Sequence, residues 1–171
     1  GSACGKALGA VPQSTVGYER LFNPTLSLAG DEDAFVENIL SGQPEPPLYF
    51  ARMKRWNRDG VPLLSAVPSP EALSAAELGS RLDGVRVIDV RAWPAFREGH
   101  LPGAIWTKTG VNFLMTAGSY IEPNERIGLV APPDIVAALV RSLVRIGLDA
   151  IEWGVTPEVL DEYSTSGGSM A

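Results

Sequence analysis

The sequence predicts an α/β fold in which a mainly parallel sheet of about five strands is covered by helices. Short apolar runs over 85–89, 127–131 and 150–153 have the length and composition of buried strands. These runs alternate with helix-length segments, of which 132–145 is the longest and carries apolar residues at helical spacing. Parallel strands need crossover helices of this kind, so the alternation favours βαβ units.

The first 60 residues predict a short segment made mostly of helix and loop. Residues 1 to about 30 are rich in Gly, Ser and Pro and show no sustained periodicity, and GSACGK at 1–6 predicts a loop. Residues 31–40 predict a helix, because acidic residues occupy its start, apolar residues share one face and Gly42 follows it. A second helix is predicted over 49–56, before Gly60.

The rest of the chain is predicted to form a linker, a domain and a tail. Prolines bracket an extended linker over 61–68, and the alternating strands and helices place a domain over 69–163. The residues from 164 to 171 are small and polar, which predicts a disordered tail.

Helix starts in this domain have recognisable caps. Ser74 and Glu77 form a capping box. Thr156 followed by Pro157 is typical of the first turn of a helix. Helices are predicted over 75–82, 91–98, 132–145, within 112–120, and from 157 to near 163.

Composition excludes several classes of function. The chain has 14 basic and 20 acidic residues, a net charge of −6, and no basic run that would follow a phosphate backbone. No apolar run approaches the ~18 residues of a membrane span, and no secretory signal is recognisable. Cys4 is the single cysteine, which excludes an internal disulfide and favours a reducing cytoplasm. We therefore expect a cytoplasmic protein that binds neither nucleic acid nor membrane.

Residues 85–106 carry the most specific pattern, VRVIDVRAWPAFREGHLPGAIW. The D-x-R motif at 89–91, a helix containing Phe96, and G-H-L-P-G-A at 99–104 follow one another at fixed offsets. This pattern resembles rhodanese-like domains, and the resemblance continues to about Tyr163. It implies their three-layer architecture over 69–163.

The resemblance also implies where sulfur chemistry would take place. In an active rhodanese the strand equivalent to 127–131 ends in a cysteine, and the next loop wraps N–H groups around its persulfide at a helix N-terminus. Here the segment reads Ala131, Pro132, Pro133 and Asp134. It offers no thiol, two prolines remove two donors, and Asp134 adds a negative charge. The sequence therefore predicts a degenerate loop without sulfurtransferase activity.

The other motif residues are interpreted as structural. Asp89 is expected to cap the turn after its strand, and Arg91 to tie loops together by charge-assisted hydrogen bonds rather than to bind an anion. His100 could act as an acid or base near neutral pH, but we favour a scaffold role. The scaffold turn is formed by Gly99, His100, Pro102 and Gly103, with the glycines shaping its backbone.

A second resemblance covers the start of the chain. GSACGK at 1–6, STVGYER and NP within 14–24, DEDAF at 31–35 and PPLYFARMKRWNRDG at 46–60 resemble the C-terminal end of metallo-β-lactamase-fold hydrolases. The similarity is to the persulfide dioxygenase type, whose members are often fused to rhodanese domains. It implies that 1–60 is the remnant of such a domain, in a truncated bacterial protein.

The metal site of that family is not expected in this chain. Its H-x-H-x-D-H run is missing, and His100 is the single histidine. An iron site of two histidines and one carboxylate, or a histidine-rich zinc site, needs at least two imidazoles. We expect iron or zinc only in a preceding half of the protein, and no cofactor in the chain itself.

Three functional interpretations remain open. The first is a non-catalytic rhodanese-like portion of a persulfide-handling enzyme, serving packing, dimerisation or docking of a sulfur-carrier thiol. Its partners would be the metallo-β-lactamase-like half or a second copy of the chain. The second is sulfur transfer through Cys4, although a buried and unreactive thiol is favoured there. The third is a pseudo-rhodanese module that binds a protein partner by itself.

Overall fold

The computed structural model of the chain describes residues 13–43 and 45–171. It divides into two compact units between Glu45 and Pro46. This division lies upstream of the boundary expected after residue 60. The helix over Tyr49–Asp59 belongs to the second unit, because its side chains pack on the domain that follows it.

In its described residues, the first unit contains two helices, α1 (Val16–Phe22) and α2 (Glu32–Leu40), and a 3-10 helix over Leu26–Leu28. Helix α2 has the expected acidic start, where Asp31 accepts a hydrogen bond from the Ala34 N–H at 3.0 Å. Helix α1 was not predicted, because its seven residues are too few to show a period. None of the residues described in this unit is buried.

The second unit is built on a five-stranded parallel sheet of order β1-β5-β4-β2-β3, so the predicted α/β class is confirmed. The two edge strands are only two residues long, and β1 was not predicted because such a short strand has no measurable alternation. The strands are β1 (Glu71–Ala72), β2 (Val85–Asp89), β3 (Ile105–Trp106), β4 (Arg126–Val130) and β5 (Ile151–Val155).

Six helices surround this sheet. The capping box predicted at Ser74 and Glu77 is present. The helix that it starts changes after four residues into a 3-10 helix over Gly79–Arg81. In the described part of the chain, no helix is long and apolar enough to cross a bilayer. The helices are α3 (Tyr49–Asp59), α4 (Ala75–Leu78), α5 (Trp93–Glu98), α6 (Val111–Tyr120), α7 (Pro133–Arg145) and α8 (Pro157–Thr165).

Buried side chains form a cluster on each face of the sheet, which produces three layers. Ile88 and Leu129 pack against α6 and α7, whereas Val87 and Val130 pack against α4 and α8. Successive residues of one strand thus serve opposite layers, as the alternation of Cβ directions requires.

Helix α3 packs on the rest of the second unit through two aromatic rings, each of which contacts a glycine. A Cβ atom on Gly118 would come within 2.2 Å of Tyr49 Cδ1, and one on Gly147 within 2.3 Å of Trp56 Cη2. Gly147 also has a φ of +72°, which disfavours any side chain there. Both contacts require glycine, because a side chain at either position would collide with the ring, and α3 could not dock in this way.

Between these two aromatic anchors, Arg52 fastens α3 to the end of α7. Its side chain is buried, and Nη2 donates to the carbonyl oxygen of Ile146. The guanidinium carbon lies 5.3 Å from the centroid of the Trp56 ring. A cation at this place complements the negative end of the helix dipole and satisfies a terminal carbonyl.

The tail over 164–171 was predicted to be disordered, and the structure differs. Helix α8 continues into it, and Ala171 exchanges two backbone hydrogen bonds with His100, at 2.8 and 3.2 Å. A Cβ atom on Gly168 would lie 2.4 Å from Tyr163 Cε1, so the absence of a side chain lets the ring pack against the backbone. The small residues that suggested disorder instead permit this close approach.

The end of β2 is held by a buried ion pair between Asp89 and Arg91. Asp89 is fully buried, its Oδ2 lies 2.8 Å from Arg91 Nη2, and its Oδ1 accepts from the Arg91 backbone N–H at 2.9 Å. Arg91 Nη2 also donates to Gly99 O at 2.8 Å, and Trp106 Nε1 donates to Arg91 O at 2.9 Å. The pair therefore joins β2, the turn after α5, and β3.

We predict that Gly118→Ala destabilises the full chain by about 1–3 kcal/mol, because the new methyl group displaces the Tyr49 ring. Urea denaturation measures the change. In a Tyr49→Ala background the same substitution should cost little, since alanine favours a helix over glycine by about 1 kcal/mol. Equal losses in both backgrounds would show that the ring contact does not hold α3.

We predict that Asp89→Asn lowers the free energy of unfolding by about 3–5 kcal/mol, because it leaves the Arg91 charge buried without a partner. Thermal and urea denaturation check this. The control is Asp59→Asn, which removes an exposed carboxylate paired with Arg58 and should leave the midpoint unchanged. A loss no larger than that of the control would contradict a structural role for the pair.

Candidate functional site

The carboxyl ends of the parallel strands meet at one edge of the sheet. Asp89 lies opposite both Trp106 and Val130, and Val130 lies opposite Val155. The D-x-R motif follows β2 and the degenerate loop follows β4, so the fold brings the two motifs to the same edge. Ligands of open α/β sheets usually bind at this edge.

The junction between β4 and α7 leaves no room for a loop. Ala131 is buried, and its N–H donates to Val155 O at 3.0 Å, so it still pairs as a strand residue. Helix α7 begins at Pro133, so only Ala131 and Pro132 lie between β4 and α7. The fixed φ of proline suits the first helical position, which explains the early start of the helix. The anion-wrapping loop implied by the family resemblance is therefore replaced by a helix.

Hydrogen-bond donors are scarce at this junction. Pro132 and Pro133 have no N–H group, and the N–H of Ile135 donates to Pro132 O at 3.3 Å. Asp134 is exposed and places its carboxylate in the first turn of α7. An acidic side chain stabilises the helix N-terminus but repels a second anion. This arrangement opposes thiolate or persulfide chemistry.

A small cavity of about 200 Å³ lies beside Ala131. Its walls are mostly apolar, and they include the short strand β1 and the end of β5, which pattern analysis did not connect with the site. Thr156 lies on its rim, and a hydrogen bond from the Thr156 hydroxyl holds the pKa of the Glu158 carboxyl below its usual value. The lining residues are Pro70, Glu71, Ala72, Ala131, Pro133, Val136, Gly154, Val155 and Thr156.

Arg91 and His100 do not line this cavity. The Arg91 guanidinium turns towards Asp89 and the Gly99 carbonyl. His100 stacks on Phe96 with ring centroids 3.9 Å apart, and its Nδ1 lies 3.0 Å from Phe96 O. The fold thus brings the motifs to one edge but does not join these side chains to Ala131.

The two glycines of the scaffold turn differ in what they require. Ala104 N–H donates to Leu101 O at 3.0 Å, which makes a turn with Pro102 and Gly103 at its centre. Gly103 has a φ of +75°, as the third position of a type II turn demands. Gly99 has a φ of 173°, an extended conformation open to any residue. Only Gly103 therefore shapes the backbone as the sequence suggested.

The residues described here do not fit the iron or zinc site of metallo-β-lactamase-fold enzymes. His100 is the single histidine, and its ring is engaged with Phe96. Within 13–43 and 45–171, no group of three His, Cys, Asp or Glu side chains could hold a metal ion. Cys4, the candidate nucleophile of the alternative interpretation, lies outside the described residues.

Comparison with known proteins agrees with both resemblances. The family model of the rhodanese-like domain matches residues 74–134. No curated protein sequence matches the chain significantly. A crystal structure of a rhodanese-related protein from Thermoplasma volcanium is 20% identical to this chain, with a TM-score of 0.45. The match covers 59% of this chain and 97% of that protein's chain.

Another match covers most of the chain. The crystal structure of a metallo-beta-lactamase from Staphylococcus aureus is 32% identical with a TM-score of 0.70, and the match covers 92% of this chain. The present chain spans only 42% of that protein's length. Residues 74–134 therefore form a rhodanese-like domain, in a chain that is similar over most of its length to part of a metallo-β-lactamase.

Proposed function

We propose that this chain is the non-catalytic, rhodanese-like end of a larger metallo-β-lactamase-fold protein of bacterial persulfide or sulfur metabolism. Its rhodanese-like domain serves packing, dimerisation or docking of a sulfur-carrier thiol, and it does not transfer sulfur. The partner is the metal-binding half of the same protein or a second copy of the chain, in the cytoplasm.

The junction between β4 and α7 carries this proposal. A rhodanese nucleophile needs a thiol at the strand end and several N–H donors around its anion. Ala131 supplies no thiol, Pro132 and Pro133 supply no donors, and Asp134 adds a negative charge in the first turn of α7. Replacing one residue would not restore the site, because the loop geometry and the charge are also unsuitable.

The first unit supports a place in a larger protein. Its apolar side chains are largely exposed, with Val16 and Leu21 each 78% exposed and Phe22 66% exposed. Helices without a buried residue cannot form a core by themselves, so this surface requires a covering partner. The similarity to a longer metallo-beta-lactamase over 92% of the chain supports the view that this partner is the rest of such a domain.

A second candidate is a pseudo-rhodanese module that binds a protein partner. The apolar cavity beside Ala131 favours it, because it lies where a ligand of this fold would bind and offers contact without chemistry. Replacing Val136 with Asp would make the cavity polar. Under this second function the full-length variant should lose a partner that co-purifies with the wild-type chain.

We predict that the chain produces no thiocyanate from thiosulfate and cyanide. Cys4→Ser should be equally inactive, and so should Ala131→Cys, because the prolines deny the new thiolate its donors. An active rhodanese serves as the positive control. Activity that Cys4→Ser abolishes would establish the Cys4 alternative, and activity of Ala131→Cys would show that the thiol alone was missing.

We predict that a longer protein carrying this chain after a metallo-β-lactamase-like half contains iron or zinc. Elemental analysis of the purified longer protein and of the chain alone makes the comparison. The metal should be found only in the longer protein, because that half would supply the histidine ligands. Absence of both metals from the longer protein would contradict the proposed parent.

A further inference from the structure

A polar cavity lies between α5, α8 and the C-terminal tail, and we call it the α5–α8 cavity. Arg91 and Pro157, each two residues beyond the end of a strand, place it at the carboxyl edge of the sheet. Met170 contributes to its wall, so the tail that pairs with His100 helps to enclose it. Its volume is about 290 Å³, roughly ten times that of one water, and it shares no lining residue with the cavity beside Ala131.

One nitrogen of the buried Arg91 guanidinium is free to bind a molecule in this cavity. The Arg91 side chain is only 7% exposed, and its Nε and Nη2 are bonded to Asp89 and to Gly99 O. Nη1 carries two more N–H groups, which no described residue accepts. Among the described residues, the polar side-chain atoms that are buried without a partner are Arg52 Nε and Asp149 Oδ1. Nη1 therefore retains contact with solvent, and the cavity that Arg91 lines gives access to it.

Two carboxylates border the same cavity, one from each helix. Glu98 is the last residue of α5, Asp161 lies in the middle of α8, and both are exposed. In the described part of the chain, neither side chain forms an ion pair or a hydrogen bond. Ser164 adds a hydroxyl group, and Ala95 and Met170 add apolar surface. The cavity thus offers donors from a buried cation and acceptors from two exposed anions.

These groups select against ligands that carry a single charge. A simple anion would meet the like charges of Glu98 and Asp161, and Asp89 already balances the charge of Arg91. A simple amine would leave Nη1 without an acceptor and would meet a like charge there. A metal ion does not fit either, because the described residues contain no group of three His, Cys, Asp or Glu side chains that could hold one. A molecule with one charge of each sign satisfies both sides of the cavity.

We propose that the α5–α8 cavity binds a small zwitterionic amino acid. Its carboxylate accepts from Arg91 Nη1, its ammonium group donates to Glu98 and Asp161, and its apolar side chain packs on Ala95 and Met170. The carboxylate contact provides more of the affinity, because a hydrogen bond to a buried donor is strong, whereas water screens the two exposed carboxylates. The competing explanation is that water alone occupies the cavity and satisfies Nη1.

Three probes of similar shape test the proposal on the full chain. L-Valine carries both charges, isovalerate lacks the ammonium group, and L-valinamide replaces the carboxylate with a neutral amide. Binding is followed in ¹H–¹⁵N NMR spectra by the Arg91 Nε–H signal and the Gly99 backbone signal. The backbone N–H of Gly147 is the internal reference, because it donates to Val144 O away from the cavity.

L-Valine should shift the two signals saturably, and isovalerate and L-valinamide should each bind about tenfold more weakly. Each of them loses one charge-assisted hydrogen bond, which is about twice as strong as a neutral one. Combining Glu98→Gln with Asp161→Asn should abolish the preference for L-valine over isovalerate. Both side chains are exposed and unpaired, so this variant should fold normally. The control is Glu162→Gln, an exposed position of α8 outside the cavity, which should retain the preference.

The opposite results would overturn the proposal. Equal binding of L-valine and isovalerate would show that Glu98 and Asp161 take no part. L-Valinamide that binds as tightly as L-valine, or more tightly, would show that Arg91 does not hold a carboxylate. If none of the probes moves the Arg91 and Gly99 signals, water alone occupies the cavity. None of these results bears on sulfur transfer, so they are distinct from the tests of the proposed function.

Discussion

The chemistry of this domain depends on one constraint: helix α7 begins after only two residues that follow β4. Ala131 still pairs with β5, and Pro133 already occupies the first turn of α7. The chain between them cannot curl around an anion, and its prolines have no N–H groups to offer. What the fold preserves is the position of the site at the carboxyl edge of the sheet. At the strand tip it supplies neither a thiol from Ala131 nor an N–H donor from Pro132 or Pro133.

Helix α3 gives the domain a second feature that its local motifs do not reveal. It is attached by two rings seated on Gly118 and Gly147 and by Arg52 at the end of α7. This attachment creates a cleft between α3 and the end of α7 that Asp149 borders. The rhodanese-like domain thus has an apolar cavity at its degenerate site and a larger, charged cleft built by a helix from outside the matched residues.

Much of the fold could be predicted from sequence because its elements are long or strongly patterned. The runs at β2, β4 and β5 and the periodicity of α7 identified the parallel sheet, and the Ser74–Glu77 box located the start of α4. Strand β1 and helix α1 escaped because they are too short to show a period. The tail was misjudged since composition does not show that Gly168 makes room for Tyr163.

The sequence by itself determined that the strand tip carries no thiol and that two of its peptide nitrogens cannot donate, because both are covalent properties of Ala131, Pro132 and Pro133. Only the tertiary structure decided that the loop is absent, that α3 belongs to the second unit, and that Asp149 Oδ1 lies buried without a hydrogen bond. Such features arise from contacts like that between Arg52 and Ile146, 94 residues apart. Contacts at that separation leave no local pattern, because they depend on how whole elements pack.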